Sequence, residues 1–291
     1  MKSILIQLDT DPHPSSFDRV VAVDAGVDEI FSYGGVGPGD VEGLVHGAMF
    51  TRGPADLRHT AIFIGGSRVD AADQLLQKVS ATFFGPMRVS AMMDANGSNT
   101  TAAAAVIAAE RHVRLADAQA LVLGGTGPVG QRTAQILAMQ GASVRLASRS
   151  IERAQQTCET VAAVVPNARI TPCGVASDAE WNAASEGVTL LVAAGAAGVQ
   201  FISKQQRQSV ESLQVAVDLN AVPPAGLEGV EVTDQAADRD GAICYGAIGV
   251  GGLKMKIHKA AIRQLFDDNT HLLDTQAIYE IGSKLSSGEA K

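Results

Sequence analysis

A glycine-rich turn within residues 121–137, LVLGGTGPVGQRTAQIL, limits the possible folds of this chain more than any other segment. Its glycines have the spacing G-x-G-x-x-G between a β-like apolar run and a helix-like run at 129–139. In that context the first glycine allows a tight turn, the second lets a pyrophosphate approach the backbone, and the third lets helix pack on strand. Free N–H groups at the helix start then face the phosphates. The pattern predicts a dinucleotide site whose contacts are Gly125, Thr126, Gly127, Pro128, Val129 and Gly130.

The end of the next predicted strand indicates which dinucleotide binds. NAD-binding units usually carry Asp or Glu there, to bind the ribose 2′-hydroxyl. Here the strand ends in Ser148, Arg149 and Ser150, and no carboxylate precedes Glu152. A guanidinium flanked by hydroxyls suits a dianionic 2′-phosphate through bidentate hydrogen bonds. The sequence therefore favours NADP as cofactor, and NAD is an acceptable second ligand because nothing there repels a 2′-hydroxyl.

Strand-like and helix-like segments alternate along the whole chain. The strand-like segments are 3–8, 60–66, 88–94, 119–125, 143–149, 168–174, 189–195, 214–220 and 242–249. The helix-like segments include 16–25, 38–49, 69–83, 99–113, 129–139, 251–266 and 274–285. This alternation predicts an α/β protein built from βαβ units with parallel sheets. We expect two domains with a cleft between them: an N-terminal parallel α/β substrate domain (1–106 plus 251–291) and a doubly wound, Rossmann-type NADP domain (107–250).

Charge and cysteine usage exclude several other classes of protein. The formal net charge of −8 argues against non-specific binding to nucleic acid or to an anionic membrane. Cys158, Cys173 and Cys244 are far apart and form no C-x-x-C pair, so we expect buried thiols in a reducing compartment. No apolar run approaches ~18 residues, and the N-terminus turns acidic too early for a signal peptide. We expect a cytoplasmic protein that binds no metal, nucleic acid or membrane.

Six segments together resemble a known family. They are LDTDPHPSSFD (8–18), RHTAIFIGG (58–66), FFGPMRVSAMMDANGSNTTAAA (83–104), GGTGPVG (124–130), DLNAVPPAGLEGVE (218–231) and YGAIGVGGLKMKIHKA (245–260). In this order they resemble the NAD(P)-dependent methylene-tetrahydromethanopterin dehydrogenases of one-carbon-metabolising bacteria, some of which also accept methylene-tetrahydrofolate. The resemblance covers nearly the whole chain. It implies reversible hydride transfer between the methylene carbon of the pterin and the nicotinamide, giving the methenyl form.

The sequence is consistent with that chemistry. Loss of hydride from a methylene bridge between two nitrogens leaves a delocalised cation, so no proton has to be abstracted and no general base is required. Catalysis then consists of holding the donor carbon over the nicotinamide and stabilising the positive charge that develops. The chain accordingly shows no Ser-His-Asp arrangement, no G-x-S-x-G and no metal-binding histidine spacing.

Polar side chains follow two strands of the N-terminal domain, at the sheet edge where ligands bind. Turn formation before Pro12 accounts equally well for Asp9 and Asp11, which follow the first strand. Helix capping accounts for Ser98 or Asn99, but not for the whole group of polar residues at 94–101. Amide and hydroxyl groups suit the amide and amino edge of a pterin. On the resemblance, we expect substrate contacts from Asp9, Asp11, Asp94, Asn96, Ser98, Asn99, Thr100 and Thr101.

Lys254 and Lys256 lie on the helix after a glycine-rich loop and are the candidate catalytic residues. Being two residues apart, they point to different sides of the helix, so at most one enters the cleft. Solvated helix charges are the competing interpretation for both. A lysine in the cleft would oppose the cationic product, so we assign it substrate orientation rather than acid chemistry.

Small residues at two further strand ends are candidates for contact with the nicotinamide end of the cofactor. They are Ala194 and Gly195 in AAGAAG (193–198), and Gly246 with the larger Ile248 in GAIGVGG (246–252). Plain turns account for these positions equally well.

Two other functions fit part of the sequence. A shikimate-dehydrogenase-like NADP oxidoreductase shares the two-domain plan, but its chemistry needs a Lys-Asp pair in the first domain. Residues 1–106 contain only Lys2 and Lys78, and neither follows a strand. A non-catalytic NADP-binding sensor would have no site for a second ligand, and the polar residues at 94–101 argue against it. The apolar, glycine-rich N-terminal domain makes a homo-oligomer the expected assembly.

Overall fold

The computed structural model describes Met1–Gly288, and the chain divides into two compact units. One unit is Met1–Thr100 with Met255–Lys291, and the other is Thr101–Lys254. The strands are β1 (Ile4–Asp9), β2 (Glu29–Tyr33), β3 (Thr60–Gly65), β4 (Ser90–Met93), β5 (Gln119–Leu123), β6 (Ser143–Ala147), β7 (Arg169–Cys173), β8 (Leu190–Ala193), β9 (Val215–Asp218), β10 (Gln235–Arg239), β11 (Ala242–Tyr245) and β12 (Leu272–Leu273). The helices are α1 (Ser16–Asp24), α2 (Val41–Met49), α3 (Val69–Thr82), α4 (Ser98–Glu110), α5 (Pro128–Met139), α6 (Ile151–Val164), α7 (Asp178–Ser185), α8 (Lys204–Gln208), α9 (Ala247–Gln264) and α10 (Thr275–Ser287).

The first unit contains a parallel sheet with the strand order β12-β4-β3-β1-β2. Numbered along the chain within this sheet, the order is 2-1-3-4-5, so the direction of winding reverses between β1 and β3. All residues of β3 are buried, as expected for a central strand covered on both faces. Polar loops that follow β1 and β3 therefore meet at the switch point, where ligands bind in folds of this kind.

Two strands of this sheet were not predicted. β2 has the sequence EIFSY, lies at the sheet edge and is only partly buried, so its apolar residues show no strong pattern. β12 has two residues and exists because Leu272 and Leu273 pair with Ala91 and Met92. Both depend on partners distant in sequence, which local patterning does not report.

The second unit contains a sheet with the order β10-β11-β9-β8-β5-β6-β7. Without β10, the parallel strands follow the order 3-2-1-4-5-6 of a doubly wound dinucleotide-binding fold. The fold class predicted from the sequence is therefore confirmed. β10 pairs antiparallel with β11 and was not predicted, because its sequence QAADR is polar and its ladder is interrupted at Ala236.

The predicted strand at 242–249 is wrong in its second half. β11 ends at Tyr245, and α9 begins at Ala247. A Cβ at Gly246 would collide with the backbone of Glu231, and one at Gly249 would collide with the backbone of Asp234. The glycines let this segment turn into a helix while packing tightly on that loop, a tertiary constraint that the apolar run conceals.

The core of the second unit lies between its sheet and the covering helices. Leu121, Leu191 and Ala216 of the central strands are buried with Trp181 of α7. The three cysteines are free thiols, two of them buried and Cys173 half-buried. Burial raises the pKa of each thiol to about 11, so these cysteines are neutral at physiological pH.

Candidate nucleotide and substrate sites

The turn after β5 contains three glycines that the chain itself requires. Gly124 has φ +67, and a Cβ there would lie 2.7 Å from Cα of Gly195. A Cβ on Gly125 would lie 2.5 Å from Cγ of Leu146, and one on Gly130 would lie 2.5 Å from the carbonyl oxygen of Gly124. Real Cβ atoms do not approach other atoms so closely, so these glycines serve the tight turn and the packing of α5 on the sheet.

Gly127 differs from those three glycines. A Cβ there would meet its nearest atoms at 3.3 Å (the carbonyl oxygen of Gly124) and 3.6 Å (that of Ala194), which is tight but not impossible. Gly127 is the N-cap of α5 and supplies no side-chain cap, while Pro128 at the first position has no N–H. The next two N–H groups, those of Val129 and Gly130, have no intrahelical acceptor, whereas that of Gln131 donates to the carbonyl oxygen of Gly127 at 2.9 Å. The first turn of α5 is therefore open to an anion, and a side chain at 127 would fill the space that a pyrophosphate needs.

The end of β6 lies beside this turn. The hydroxyl oxygens of Thr126 and Ser148 are 3.4 Å apart, and Ser148 Oγ accepts a hydrogen bond from the backbone N–H of Ser150 at 3.3 Å. Arg149 is exposed, and its guanidinium makes no hydrogen bond or ion pair with any of residues 1–288. A cation without a partner, between two serines and next to an open helix N-terminus, fits a phosphorylated ribose. The residues present therefore suit a dinucleotide.

The small residues at the end of β8 have an explanation within the chain. The ring of Phe201 lies directly against Gly195, where any Cβ would collide with it, and a Cβ at Gly124 would collide with the backbone of Gly195. Their size does not by itself indicate a bound nicotinamide ribose. Gly246, just before α9, is buried against the loop at Glu231 and Val232, whereas Ile248 on α9 is 61% exposed. Contact of these residues with the cofactor stays a prediction.

The loops after β1 and β3 are joined by carboxylates. Asp9 is buried and accepts the backbone N–H groups of Asp11 and Ser15 at 2.9 and 3.0 Å. Asp11 accepts both the backbone N–H and the hydroxyl of Ser67 at 2.9 Å. Asp9 thus holds the turn after β1, and Asp11 ties that turn to the loop after β3. Direct contact of either with substrate remains a prediction.

Asp94, at the end of β4, caps α4 from within the protein. One carboxylate oxygen accepts the backbone N–H groups of Asn99 and Thr100 at 2.8 and 3.0 Å, and the other accepts the hydroxyl of Thr100 at 2.6 Å. Asp94, Asn99 and Thr100 are all fully buried. Helix capping therefore explains more of this cluster than the sequence indicated.

The remaining polar groups of the cluster divide into buried and accessible ones. The amide of Asn99 accepts a hydrogen bond from the hydroxyl of Thr275 at 2.8 Å and is thereby tied to α10. Ser98 is also buried. Asn96 is exposed in a left-handed conformation (φ 54), and Thr101 is half-buried. Of the residues predicted in this cluster, Asn96 and Thr101 are the accessible ones.

The two lysines differ in exposure, as their spacing predicts. Lys254 is half-buried and Lys256 is exposed on α9. One turn beyond Lys254, His258 is fully buried, with its ring stacked on Phe63 at 5.9 Å and Nε2 4.0 Å from a carboxylate oxygen of Asp18. His258 is therefore a packing residue.

Three charged residues near these strand ends were missed from the sequence. Asp218 ends β9, is buried, and accepts the backbone N–H groups of Asn220 and Leu227 at 3.0 and 2.8 Å. Desolvation raises the pKa of Asp218. Glu152 and Arg153 lie in the first turn of α6, next to Arg149. The position of Glu152 and Arg153 just after a predicted strand could have marked them as candidate ligand contacts. They were not chosen because charged residues on helices are usually solvated.

Residues 1–288 provide neither a clustered metal site nor a membrane-spanning helix. They contain no group of three or more His, Cys, Asp or Glu arranged to hold a metal ion. No helix in the same range is both long and apolar enough to span a membrane.

Solved structures share this fold at low identity. Quinate dehydrogenase from Corynebacterium glutamicum in complex with NAD superposes with a TM-score of 0.55 at 14% identity, covering 97% of this chain and 99% of that one. Shikimate 5-dehydrogenase from Listeria monocytogenes gives 0.54 at 12% identity, covering 96% of each chain. These likenesses concern the fold alone.

Sequence relatives match the whole length of the chain. The bifunctional protein MdtA of Methylorubrum extorquens is 39% identical over 291 residues, covering 98% of this chain and 99% of the relative. An NAD(P)-dependent methylenetetrahydromethanopterin dehydrogenase of the same organism is 29% identical over 306 residues, with the same coverage. Residues 16–96 match the family model for the N-terminal part of methylene-tetrahydromethanopterin dehydrogenase. This chain therefore belongs to the methylene-tetrahydromethanopterin dehydrogenase family.

Proposed function

We propose that this chain is an NADP-dependent methylene-tetrahydromethanopterin dehydrogenase that interconverts the methylene and methenyl forms of the pterin by reversible hydride transfer. The observation that carries the proposal is the match over nearly the full length of two relatives, one of which bears that activity in its name. The doubly wound second unit, with its open glycine turn, supplies the nucleotide site that this activity needs.

We propose nucleotide-binding residues from the geometry of the second unit. The first turn of α5, from Gly127 to Gly130, would bind the pyrophosphate through backbone N–H groups. Thr126, Ser148 and Arg149 would bind the adenosine ribose, with Arg149 paired to the 2′-phosphate of NADP. When bound, the nicotinamide supplies the hydride acceptor or donor.

The substrate-binding residues are proposed from the first unit and α9. Asn96 and Thr101 are the accessible members of the polar cluster and would contact the pterin. Asp9, Asp11 and Asp94 would act indirectly, because their carboxylates hold the loops that carry such contacts. Lys256, being exposed, is the better candidate of the two lysines for orienting the pterin.

A direct assay tests the activity. The purified protein is mixed with NADP and methylene-tetrahydromethanopterin, and absorbance is followed in the band of reduced nicotinamide. We expect absorbance in this band to increase, and to increase more slowly when NAD replaces NADP. We propose methylene-tetrahydrofolate as a second substrate, whose rate is measured separately in the same assay. No reduction with either pterin, under conditions where NADP binds in calorimetry, would favour the non-catalytic sensor instead.

Single-turnover kinetics distinguish a lysine that orients the pterin from a lysine that acts as an acid or base. Without a general base, single-turnover rates should be nearly flat between about pH 6 and 9, and a deuterated methylene carbon should slow them. Lys256→Ala should weaken pterin binding or its alignment, costing on the order of a hundredfold in rate, while Lys254→Ala should have less effect. A rate that rises tenfold per pH unit and loses that slope in Lys256→Ala would give the lysine an acid–base role.

We also propose that the protein is a cytoplasmic homo-oligomer. Exposed apolar side chains lie on α1 and on the edge strand β2, and a surface of this kind suits a second copy of the chain. They include Val20, Val23, Phe31 and Tyr33. Light scattering of the wild type and of Val23→Glu tests this, since a monomer in both would contradict it.

A further inference from the structure

The first turn of α6 contains a hydrogen-bonded pair that the proposed function does not use. The Ser150 hydroxyl donates to the carboxylate of Glu152 at 2.7 Å. Ser150 Oγ also accepts the backbone N–H of Arg153 at 3.3 Å, which makes it the N-cap of α6. Both bonds lie directly after Arg149, at the strand end where the adenosine ribose is proposed to bind.

This pair restricts what Ser150 can offer a ligand. A hydroxyl has one hydrogen, so Ser150 cannot donate to a phosphate while it donates to Glu152. The hydrogen bond from Ser150 also lowers the pKa of Glu152, which therefore stays ionised at every pH where the protein would be assayed. Glu152 is exposed, so its charge acts on whatever binds beside it.

Opposite charges surround the same turn. Arg149 and Arg153 are both exposed, and neither guanidinium has a hydrogen-bond or ion-pair partner within residues 1–288. Glu152 is thus not neutralised by a neighbouring arginine, although two are close in sequence. The turn presents two cations that attract a phosphate and one anion that repels it.

We propose that Glu152 is a specificity-determining residue that sets the balance between NADP and NAD at this site. Its carboxylate repels a 2′-phosphate and withholds the Ser150 hydroxyl from it, and it offers an acceptor to the 2′-hydroxyl of NAD. Families that prefer NAD usually place such a carboxylate at the strand end. Here it lies in the first helical turn instead. This inference rests on the proposed function, because that function places the ribose at this strand end.

Two variants separate the contribution of the charge from that of the hydrogen bond. Glu152→Gln removes the charge but keeps an oxygen that can accept from Ser150. Glu152→Ala removes both the charge and the acceptor oxygen, which frees the Ser150 hydroxyl to donate elsewhere. Glu159→Gln is the matched control: it lies on the same helix about two turns later, is exposed, and accepts a hydrogen bond from Gln155 at 2.9 Å.

Calorimetric dissociation constants for NADP and NAD test the proposal without relying on turnover. Glu152→Gln should bind NADP roughly fivefold tighter and NAD roughly threefold weaker, because a like charge near the phosphate and an acceptor near the hydroxyl are both lost. Glu152→Ala should bind NADP tighter still. Glu159→Gln should leave the ratio of the two constants unchanged within about twofold, because a charge that far away is screened.

The outcomes separate failure of this inference from failure of the proposed function. If the wild type binds both nucleotides and neither Glu152 variant changes the Kd ratio more than Glu159→Gln does, Glu152 does not determine specificity. If Glu152→Gln alone has no effect but Glu152→Ala does, the hydroxyl rather than the charge carries the discrimination, and the repulsion part is wrong. If the wild type binds neither nucleotide, the proposed function itself is contradicted.

Discussion

Helices α4 and α5 both begin at the carboxyl end of an interior parallel strand, yet their first turns are filled differently. The first turn of α4 is closed by the buried carboxylate of Asp94, which accepts two backbone N–H groups and a hydroxyl. The first turn of α5 has no side-chain cap and begins with Gly127 and Pro128. The same backbone geometry is thus capped by a side chain of the protein in one place and left without a side-chain cap in the other.

The difference teaches how to interpret polar residues at a strand end. A dense polar cluster such as 94–101 indicates a ligand site only if its groups lack partners inside the chain, and here most have them. The glycine turn carries no polar side chain in its first helical turn, and that absence is what leaves its N–H groups available.

The largest expected effect comes from filling the open turn. Gly127→Val should weaken both NADP and NAD at least about a thousandfold, roughly 4 kcal/mol, because the side chain takes the place of the pyrophosphate. The fold should survive, since the Cβ meets its nearest neighbour at 3.3 Å and the backbone of Gly127 is extended.

Gly130 provides the contrast to that variant. Gly130→Ala places a Cβ 2.5 Å from the carbonyl oxygen of Gly124, so it should lower the melting temperature as well. Calorimetry and thermal unfolding of both variants separate the two roles. Nucleotide binding that persists in Gly127→Val would show that the turn is not the pyrophosphate site.

Removing the cap of α4 should affect stability first. Asp94→Ala leaves two backbone N–H groups and a hydroxyl without their buried acceptor, which should cost about 3 kcal/mol in the free energy of unfolding. NADP affinity should remain unchanged. Urea unfolding and calorimetry measure the two quantities. A variant of wild-type stability that has lost pterin affinity would make Asp94 a substrate ligand and remove the contrast with α5.

Arg149→Ala tests the cation beside the open turn. It should weaken NADP by about 1.5–3 kcal/mol, because the 2′-phosphate loses a charge-assisted partner, and leave NAD within about twofold. Arg58→Ala, an exposed arginine of the first unit, controls for the change in net charge. Equal losses for both nucleotides in Arg149→Ala would mean that Arg149 does not bind the 2′-phosphate.

Asp218, at the end of β9, is like Asp94 a buried carboxylate that accepts backbone N–H groups, and its variant has the smallest expected effect. Burial raises its pKa above the ordinary value of 3.8, so the protonated form is favoured in the folded protein. Its contribution to stability is therefore full below about pH 3.8 and is lost as the pH rises through the raised pKa.

The non-titrating variant Asp218→Asn isolates that contribution. The difference in unfolding free energy, wild type minus Asp218→Asn, should fall as the pH rises from about 4 and then become constant. Urea unfolding of both proteins over that range measures it. A difference that increases with pH would mean that the hydrogen bonds from Asn220 and Leu227 outweigh desolvation.

A feature of the structure could be predicted from the sequence when the contacts that produce it lie close together along the chain. The glycine turn was predictable because Gly125 and Gly130 meet atoms of their own strand–turn–helix unit or of the next strand. The edge strands β2, β10 and β12 were not, since short or polar segments become strands only through partners far along the chain. The role of Asp94 was missed because composition cannot tell which donors reach a carboxylate. All the site assignments, including those at the glycine turn, remain predictions.

The contacts of Gly195 with Gly124 and with Phe201 have a consequence for how this family can change over evolutionary time. A methyl group at Gly124 would require a new path for the loop after β8, and one at Gly195 would require a smaller side chain at 201. We therefore expect the three residues to vary together among homologues or not at all, even though Gly124 lies 71 positions before Gly195 in the sequence.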